Sequence, residues 1–253
     1  MPGSLKVVPT GSDGARIEGI DLRTPATAEI DVVMQAWYHH DVQIFLGQQL
    51  SDEHLLALTR RFGALGDGEA LWHTDISYAA LPPDASMLFA LEIPATGADT
   101  CFASMKAALE KVPVPLRMRI ATLDIKPDGT YDSGGNLRKG DALSTDPRSS
   151  TGTPHPIVIE HPVSGDRALY LGWRRNAYVM GLEPDESERL LDQLWRCVDA
   201  SVYLHRWTLG DLVLWDNRTT MHRRDPFDPR SRRVMHRTQI KGTSPPRRAQ
   251  SVA

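Results

Sequence analysis

Short apolar segments separated by turn-forming residues constrain the fold of this chain more than any other feature of its sequence. Residues 157–161 and 168–171 flank the Ser-Gly-Asp turn at 164–166, a pattern that predicts a hairpin. Residues 212–215 are fully apolar, as expected for a buried strand, and residues 233–239 form a further predicted strand. Because the strands do not alternate regularly with helices, they favour an antiparallel sandwich over a doubly wound sheet.

Four helical segments are predicted beside these strands. In the last of them, apolar side chains recur at helical spacing and acidic residues lie near the positive N-terminal end. The predicted fold is therefore mixed α+β, a jelly-roll with helices packed outside the sheets. The helices are predicted at residues 27–39, 51–62, 104–111 and 183–199.

The length of 253 residues suits one domain, predicted to span residues 1–241. Residues 242–253 are rich in Pro, Ser and Arg and are predicted to form a disordered tail. Residues 132–155 are rich in Gly, Ser, Asp and Pro, and a loop of that length predicts an active-site lid.

Composition and charge limit the classes of function. A net charge of -3 argues against a nucleic-acid-binding surface, which normally needs a basic excess. No window approaches the ~20 apolar residues that span a bilayer. Two cysteines, Cys101 and Cys197, cannot build a disulfide framework. We expect a cytoplasmic protein whose partner is a small molecule, not nucleic acid or a membrane; a homo-oligomer, dimer or tetramer, is compatible with this composition.

His73 and Asp75 form the first candidate metal-binding motif. In an extended segment two residues apart point the same way, so both side chains can reach one metal ion. Taken alone, the pattern is common by chance, and a surface turn in which Asp75 caps a backbone amide is the more frequent explanation.

His222 and two arginines near the end of the chain change this assessment. His222 follows a predicted buried strand and a polar turn, where side chains face a cavity, although a hydrogen-bonded structural histidine is also compatible. Arg233 and Arg237 share one face of a predicted strand. If that face lies inside the sandwich, the two guanidinium groups need anions; the alternative is a solvent-facing strand.

Two histidines and one carboxylate on one face of iron leave three positions open. A 2-oxo acid can fill two of them, O2 can take the last, and an arginine can hold the far carboxylate of the acid. This combination accounts for His73, Asp75, His222 and Arg237 in one chain. A catalytically silent metal-binding protein and a zinc hydrolase remain alternatives, since the same ligands suit zinc.

Further motifs occur in a fixed order between residues ~60 and ~240. They are Arg61-Phe-Gly, Trp72-His-Thr-Asp75, Gly97-Ala-Asp-Thr100, Ala107-Ala-Leu-Glu110, His155-Pro156, His161-Pro-Val-Ser-Gly165, Gly181-Leu182, Trp215-Asp-Asn-Arg218 and Arg232-Arg-Val-Met-His-Arg237. On these motifs the chain resembles the taurine dioxygenase (TauD/TfdA) family of Fe(II)- and 2-oxoglutarate-dependent dioxygenases.

The resemblance implies a double-stranded β-helix (cupin-like) core, with Fe(2+), 2-oxoglutarate and O2 as cofactor and cosubstrates. It implies that 2-oxoglutarate is decarboxylated to succinate and CO2 while a C–H bond of a small anionic substrate is hydroxylated, with C–S or C–O cleavage where that carbon bears a heteroatom. It also implies that Arg237 and Thr100 bind 2-oxoglutarate and that Arg233 meets the substrate. The implied iron ligands are His73, Asp75 and His222.

One segment departs from the family pattern. Residues 66–72 stand where taurine-type members carry a longer insertion with substrate-contacting residues, and Glu69 lies where an asparagine is expected. Taurine itself is therefore not the expected substrate. Trp173, Arg174 and Arg175 are further pocket candidates, with an ordinary exposed turn as the alternative.

Overall fold

The structure is a computed structural model of the whole chain. Half of the predicted lid at 132–155 falls outside the residues that it describes, and so does the short segment at 66–70. The described residues are 5–10, 14–60, 71–131, 137–138, 146–198, 202–228 and 230–250.

The helices agree closely with the sequence prediction. Within the described residues, α1 and α5 cover two predicted helices, and Ser104 caps α3 by accepting a hydrogen bond from the backbone N–H of Ala107. One helix, α4, was not predicted, because Ile120 is its one buried residue and its apolar pattern is weak. The bounds are α1 (Thr27–His39), α2 (Asp52–Arg60), α3 (Met105–Lys111), α4 (Val114–Ile120) and α5 (Pro184–Val198).

The strands are short and mostly antiparallel, as predicted. The predicted hairpin is confirmed: β8 pairs with β9 in an antiparallel register that joins Ile159 to Ala168. The strands are β1 (Lys6–Pro9), β2 (Gly14–Glu18), β3 (Val42–Phe45), β4 (Ala85–Glu92), β5 (Thr100–Ser104), β6 (Asp124–Lys126), β7 (His155–Pro156), β8 (Val158–Glu160), β9 (Arg167–Leu169), β10 (Tyr178–Val179), β11 (Val202–His205), β12 (Leu212–Asp216), β13 (Thr220–Arg224), β14 (Val234–Ile240) and β15 (Arg247–Arg248).

Two sheets position the candidate site. A six-stranded sheet has the order β1-β2-β3-β12-β4-β14, and a three-stranded sheet has the order β11-β5-β13. Buried side chains of both sheets, among them Ile44, Val213 and Phe102, share one apolar cluster. The architecture is thus a strand-rich mixture of helices and sheets. No helix in the described ranges has the length and apolar character that a membrane crossing requires.

The prediction of a disordered tail is wrong for residues 242–250. Strand β15 pairs with β8, and Ala249 is buried against the core. The guanidinium group of Arg248 donates to the carbonyl oxygens of Ala121 and Leu123, at 2.7 and 3.2 Å. These backbone and guanidinium hydrogen bonds fix a segment whose composition carries too little apolar surface to predict order.

Candidate metal centre

The backbone places two histidines directly opposite each other. His73 and His222 form an isolated antiparallel bridge, in which each backbone N–H donates to the other carbonyl oxygen at 3.0 Å. His222 belongs to β13, which pairs with β5, and Asp75 follows His73 by two residues. The bridge therefore joins two segments that are distant in the chain.

The three predicted ligand side chains converge. The Oδ1 atom of Asp75 lies 3.3 Å from Nε2 of His73 and 3.7 Å from Nε2 of His222. The three donor atoms lie within 4.8 Å of one another, and all three residues are buried. Two imidazole nitrogens and a carboxylate oxygen at this separation suit a first-row divalent metal ion.

The hydrogen bond of His73 fixes which of its nitrogens faces this centre. Its Nδ1 atom contacts the carbonyl oxygen of Leu71, which can only accept, so Nδ1 carries the hydrogen. In the neutral ring the lone pair then belongs to Nε2, opposite the Asp75 carboxylate. A lone pair facing an anion needs a cation between them, so the donor set fits a metal ion.

The charges at the centre also fit metal binding. Burial and the neighbouring His73 hold the pKa of His222 well below its usual value, so the ring is neutral. Burial alone would raise the pKa of Asp75, but the positive charge of Arg237 is the largest opposing influence, and that pKa lies well below the usual range. A neutral imidazole and an ionised carboxylate are the ligand forms that metal ions require.

Two further side chains contact Asp75. The Nη2 atom of Arg237 donates to Oδ1, and the hydroxyl of Ser86 donates to Oδ2. Arg237 therefore contacts a candidate ligand directly, whereas the sequence prediction places it farther away, at the far carboxylate of 2-oxoglutarate. Ser86, a small polar residue that precedes the apolar run 87–91 of β4, was not singled out from the sequence.

Thr100 is buried on β5, and a tryptophan fixes the direction of its hydroxyl group. The indole Nε1 of Trp207 donates to the Thr100 Oγ1 atom at 2.9 Å. An indole nitrogen cannot accept, so the hydroxyl hydrogen of Thr100 points elsewhere and can be donated to an anion. Trp207 follows β11 after one residue and was not singled out from the sequence.

Arg233 lies in a second cationic region, next to Arg224. In the register of β13 with β5, Arg224 is opposite Thr100, and Arg224 shares a strand face with His222. Burial and the charge of Arg224 lower the pKa of Arg233 to about 10. Among the described residues neither guanidinium group has an acidic partner, so this region attracts anions.

The three residues after Gly172 differ in their surroundings. Gly172 accepts a hydrogen bond from the backbone N–H of Thr74, between the two candidate ligands, at 3.3 Å. Trp173 is buried and packs against Tyr131 with the two rings steeply inclined, and the guanidinium carbon of Arg175 lies 3.8 Å from the centre of the Tyr131 ring. These residues form an aromatic and cationic wall attached to the centre.

Arg174 faces away from this wall. Its guanidinium group pairs with Glu188 and Asp192 of α5, each at 2.7 Å. Both acidic side chains are exposed, so these are surface ion pairs that join the segment to the helix. Of the three pocket candidates, Trp173 and Arg175 share the aromatic wall and Arg174 does not.

Comparisons with known proteins agree with this geometry. Residues 65–239, more than half of the chain, match the family described as "Taurine catabolism dioxygenase TauD, TfdA family". The (S)-phenoxypropionate/alpha-ketoglutarate-dioxygenase of Delftia acidovorans is 30% identical, with 96% of this chain and 97% of that protein aligned. The alpha-ketoglutarate-dependent sulfate ester dioxygenase of Pseudomonas putida is 30% identical, with 84% and 81% aligned.

A solved structure resembles the chain over nearly its whole length. The crystal structure of AAD-2 in complex with Mn(II) and N-oxalylglycine superimposes with a TM-score of 0.85 at 30% identity. The match covers 96% of this chain and 99% of that chain. The sheets and helices described above therefore follow an arrangement that already occurs in a metal-bound protein.

Proposed function

Because the chain belongs to the taurine catabolism dioxygenase TauD, TfdA family, we propose that it hydroxylates a C–H bond of a small anionic substrate with an aromatic or apolar part. It is an Fe(II)- and 2-oxoglutarate-dependent dioxygenase, as are the relatives that it matches. The convergence of His73, Asp75 and His222 is the observation that carries this function.

These three side chains would hold Fe(II) through two imidazole nitrogens and one carboxylate oxygen. When bound, the iron would couple the activation of O2 to the decarboxylation of 2-oxoglutarate to succinate and CO2. The protein's contribution is to bind and orient the two organic molecules. Burial of all three donors excludes water from their side of the centre.

We propose that Thr100 and one of the two arginines bind the far carboxylate of 2-oxoglutarate. The sequence prediction gives that role to Arg237 and gives the substrate to Arg233. The contacts support the exchanged roles better, with Arg233 binding 2-oxoglutarate and Arg237 binding the substrate. Arg237 touches an iron-ligand oxygen, whereas Arg233 lies beside Arg224, which is opposite Thr100. When a 2-oxo acid chelates the metal through one end, its far carboxylate lies several bonds from the metal. Arg233 is therefore better placed than Arg237 to bind that carboxylate.

In the exchanged arrangement Arg237 meets the anionic group of the substrate next to the iron. The aromatic wall of Trp173 and Tyr131 then faces the apolar part of the substrate, and Arg175 adds a second positive charge. Relatives named for phenoxypropionate and for sulfate esters combine an anionic group with an organic body. We therefore propose aryloxy acids first and sulfate esters second. Taurine carries only a short, charged aminoethyl group, which offers little apolar surface to an aromatic wall.

Several predictions from the sequence remain part of this proposal. They are the double-stranded β-helix, which the two facing sheets support, the single domain, predicted at 1–241 and here extended by β15, and the lid at 132–155. A cytoplasmic location and a dimer or tetramer remain predictions as well. The two alternative functions, a silent metal-binding protein and a zinc hydrolase, are not supported, because the full-length relatives are oxygen-using enzymes by name.

Substrate-dependent release of succinate tests the proposal. The purified protein with Fe(II), 2-oxoglutarate and O2 would be screened against aryloxy acids, sulfate esters, alkyl sulfonates and neutral aryl ethers. We expect release with an anionic aryloxy acid and none with its neutral amide. Release with the amide at an equal rate would contradict the assigned substrate class, and so would failure of every anionic compound.

A further inference from the structure

The two carboxylate oxygens of Asp75 have different surroundings. Oδ1 faces both imidazole Nε2 atoms and accepts from Arg237, whereas Oδ2 faces away from them and accepts a hydrogen bond from Ser86. We propose that Ser86, oriented by Asn217, restricts Asp75 to one oxygen as a metal ligand. Ser86 is thus a positioning residue that acts through Asp75. This inference rests on the proposed iron centre.

The direction of the hydrogen bonds is fixed by chemistry. The Nδ2 atom of Asn217 lies 3.3 Å from the carbonyl oxygen of Pro83, which only accepts, so this end of the amide is the donor. The same Nδ2 donates to the Ser86 oxygen at 3.1 Å, and Nε2 of Gln239 donates to it at 3.4 Å. With its oxygen accepting, the single hydroxyl hydrogen of Ser86 is directed to Asp75.

Three strands hold this network in place. Ser86 is on β4, where its neighbours in register are Trp215 of β12 and Gln239 of β14. Asn217 directly follows β12, and its backbone N–H donates to the carbonyl oxygen of Asp84 at 2.9 Å. Ser86 is fully buried, and Asn217 and Gln239 are 1% exposed, so water does not compete for these hydrogen bonds.

The restriction to one oxygen decides how many metal positions remain. A carboxylate that binds through both oxygens takes one position more than a carboxylate that binds through one. Two histidines and one carboxylate oxygen leave three positions, enough for the two oxygens of a chelating 2-oxo acid and for O2. A hydrogen bond that occupies Oδ2 therefore keeps a position for the cosubstrates.

The test compares Ser86→Ala with a second serine variant outside this network, using Co(II) in place of iron so that no turnover occurs. The control is Ser187→Ala, which removes a buried hydroxyl whose oxygen accepts from the backbone N–H of Val179 at 2.9 Å. Visible absorption of bound Co(II) reports its coordination, and calorimetry measures the affinity of the Co(II) protein for 2-oxoglutarate.

We expect Ser86→Ala to bind Co(II), to change the Co(II) absorption spectrum and to weaken 2-oxoglutarate binding roughly tenfold. Asn217→Ala should change both in the same direction but less, since Gln239 still donates to Ser86. The control should match the unmodified protein. These readouts need no catalysis.

Two results would overturn the inference. One is a folded Ser86→Ala protein with the original Co(II) spectrum and the original affinity for 2-oxoglutarate. The other is loss of Co(II) binding itself. The Ser86 hydroxyl would then be needed to keep Asp75 as a metal ligand at all, rather than to set how many of its oxygens bind. If Ser86→Ala does not fold, the same two results with Asn217→Ala decide. Failure of the unmodified protein to bind Co(II) and 2-oxoglutarate would instead refute the proposed function.

Discussion

Two buried aspartates, Asp75 and Asp216, each contact a histidine and an arginine, yet the two clusters differ in where the hydrogens lie. At Asp216, Nδ1 of His161 accepts from the backbone N–H of Ser164 at 3.0 Å, so Nε2 carries the hydrogen and donates to the carboxylate at 3.2 Å. At Asp75, Nδ1 of His73 donates to a carbonyl oxygen, and Nε2 presents its lone pair.

The arginines of the two clusters also differ in how they contact the aspartate. Arg218 contacts both oxygens of Asp216, through Nε at 2.9 Å and through Nη2, and its own backbone N–H binds Oδ1 at 2.8 Å. Arg237 contacts Oδ1 of Asp75, the oxygen that faces the histidines. The Asp216 cluster is therefore complete without a ligand, whereas the Asp75 cluster directs lone pairs to a common point. Residue type alone does not separate a structural cluster from a metal centre.

The most complete effect that we expect is on metal-dependent stability. Asp75→Ala should abolish the rise in melting temperature produced by Mn(II) with 2-oxoglutarate, because one of three ligands is lost. At a hundredfold excess over Kd that rise corresponds to about 2.7 kcal/mol in the unmodified protein. Differential scanning fluorimetry measures it. Asp216→Asn is the matched variant and should keep the rise; loss of the rise in both would erase the distinction between the clusters.

The second effect is on stability in the absence of metal, and here the sensitive residue is Asp216 rather than Asp75. Asp216→Asn should lower the free energy of unfolding by about 3–5 kcal/mol, since the buried Arg218 loses its bidentate partner. Urea unfolding without metal measures the change. A decrease of less than about 1 kcal/mol would mean that Asp84, 3.8 Å from Arg218, replaces the lost carboxylate.

The third effect concerns the arginines near the candidate centre. Removing a charge-assisted contact costs about 1.5–3 kcal/mol, so Arg233→Ala should weaken 2-oxoglutarate binding roughly tenfold to hundredfold. Arg237→Ala should raise the KM of the organic substrate more than that of 2-oxoglutarate. Steady-state kinetics with each compound varied in turn distinguishes them, and the reverse outcome would restore the roles predicted from sequence.

The smallest effect is a pH dependence beside the Asp216 cluster. Burial and Asp216 raise the pKa of Asp41 to about 7, although Lys106 opposes them. A raised carboxyl pKa contributes stability below the ordinary value of 3.8, and this contribution is lost as pH rises toward 7. Asp41→Asn should therefore be more stable, relative to the unmodified protein, at pH 8 than at pH 5. Melting temperatures at the two pH values measure this, and an equal difference at both would contradict it.

The sequence was sufficient to predict which ligands converge but not what supports them. The spacing of His73 and Asp75 and the position of His222 after a buried strand are local patterns, and they led to the right cluster. Ser86 carries no such pattern, because its role depends on the register of β4 with two strands made much later in the chain. Pairings of that kind are not visible in local sequence.

The fold shows the same limit. Helices with a strong apolar face, such as α5, were predicted almost to the residue, whereas α4 and β15 were missed. The apolar face of α4 is too small to give a pattern, and β15 is held by strand pairing and by the hydrogen bonds of Arg248. Order that comes from long-range polar contacts leaves little trace in composition.

The late position of β14 and β15 in the chain has a consequence for biosynthesis. Strand β14, which carries Arg237 and Gln239, pairs with β4, and β15 pairs with β8, so each closes onto a partner synthesised much earlier. A nascent chain on the ribosome therefore displays an unpaired β4 edge until β14 has been synthesised. Because an unpaired edge invites aggregation, shielding of that edge during synthesis should raise the yield of folded protein.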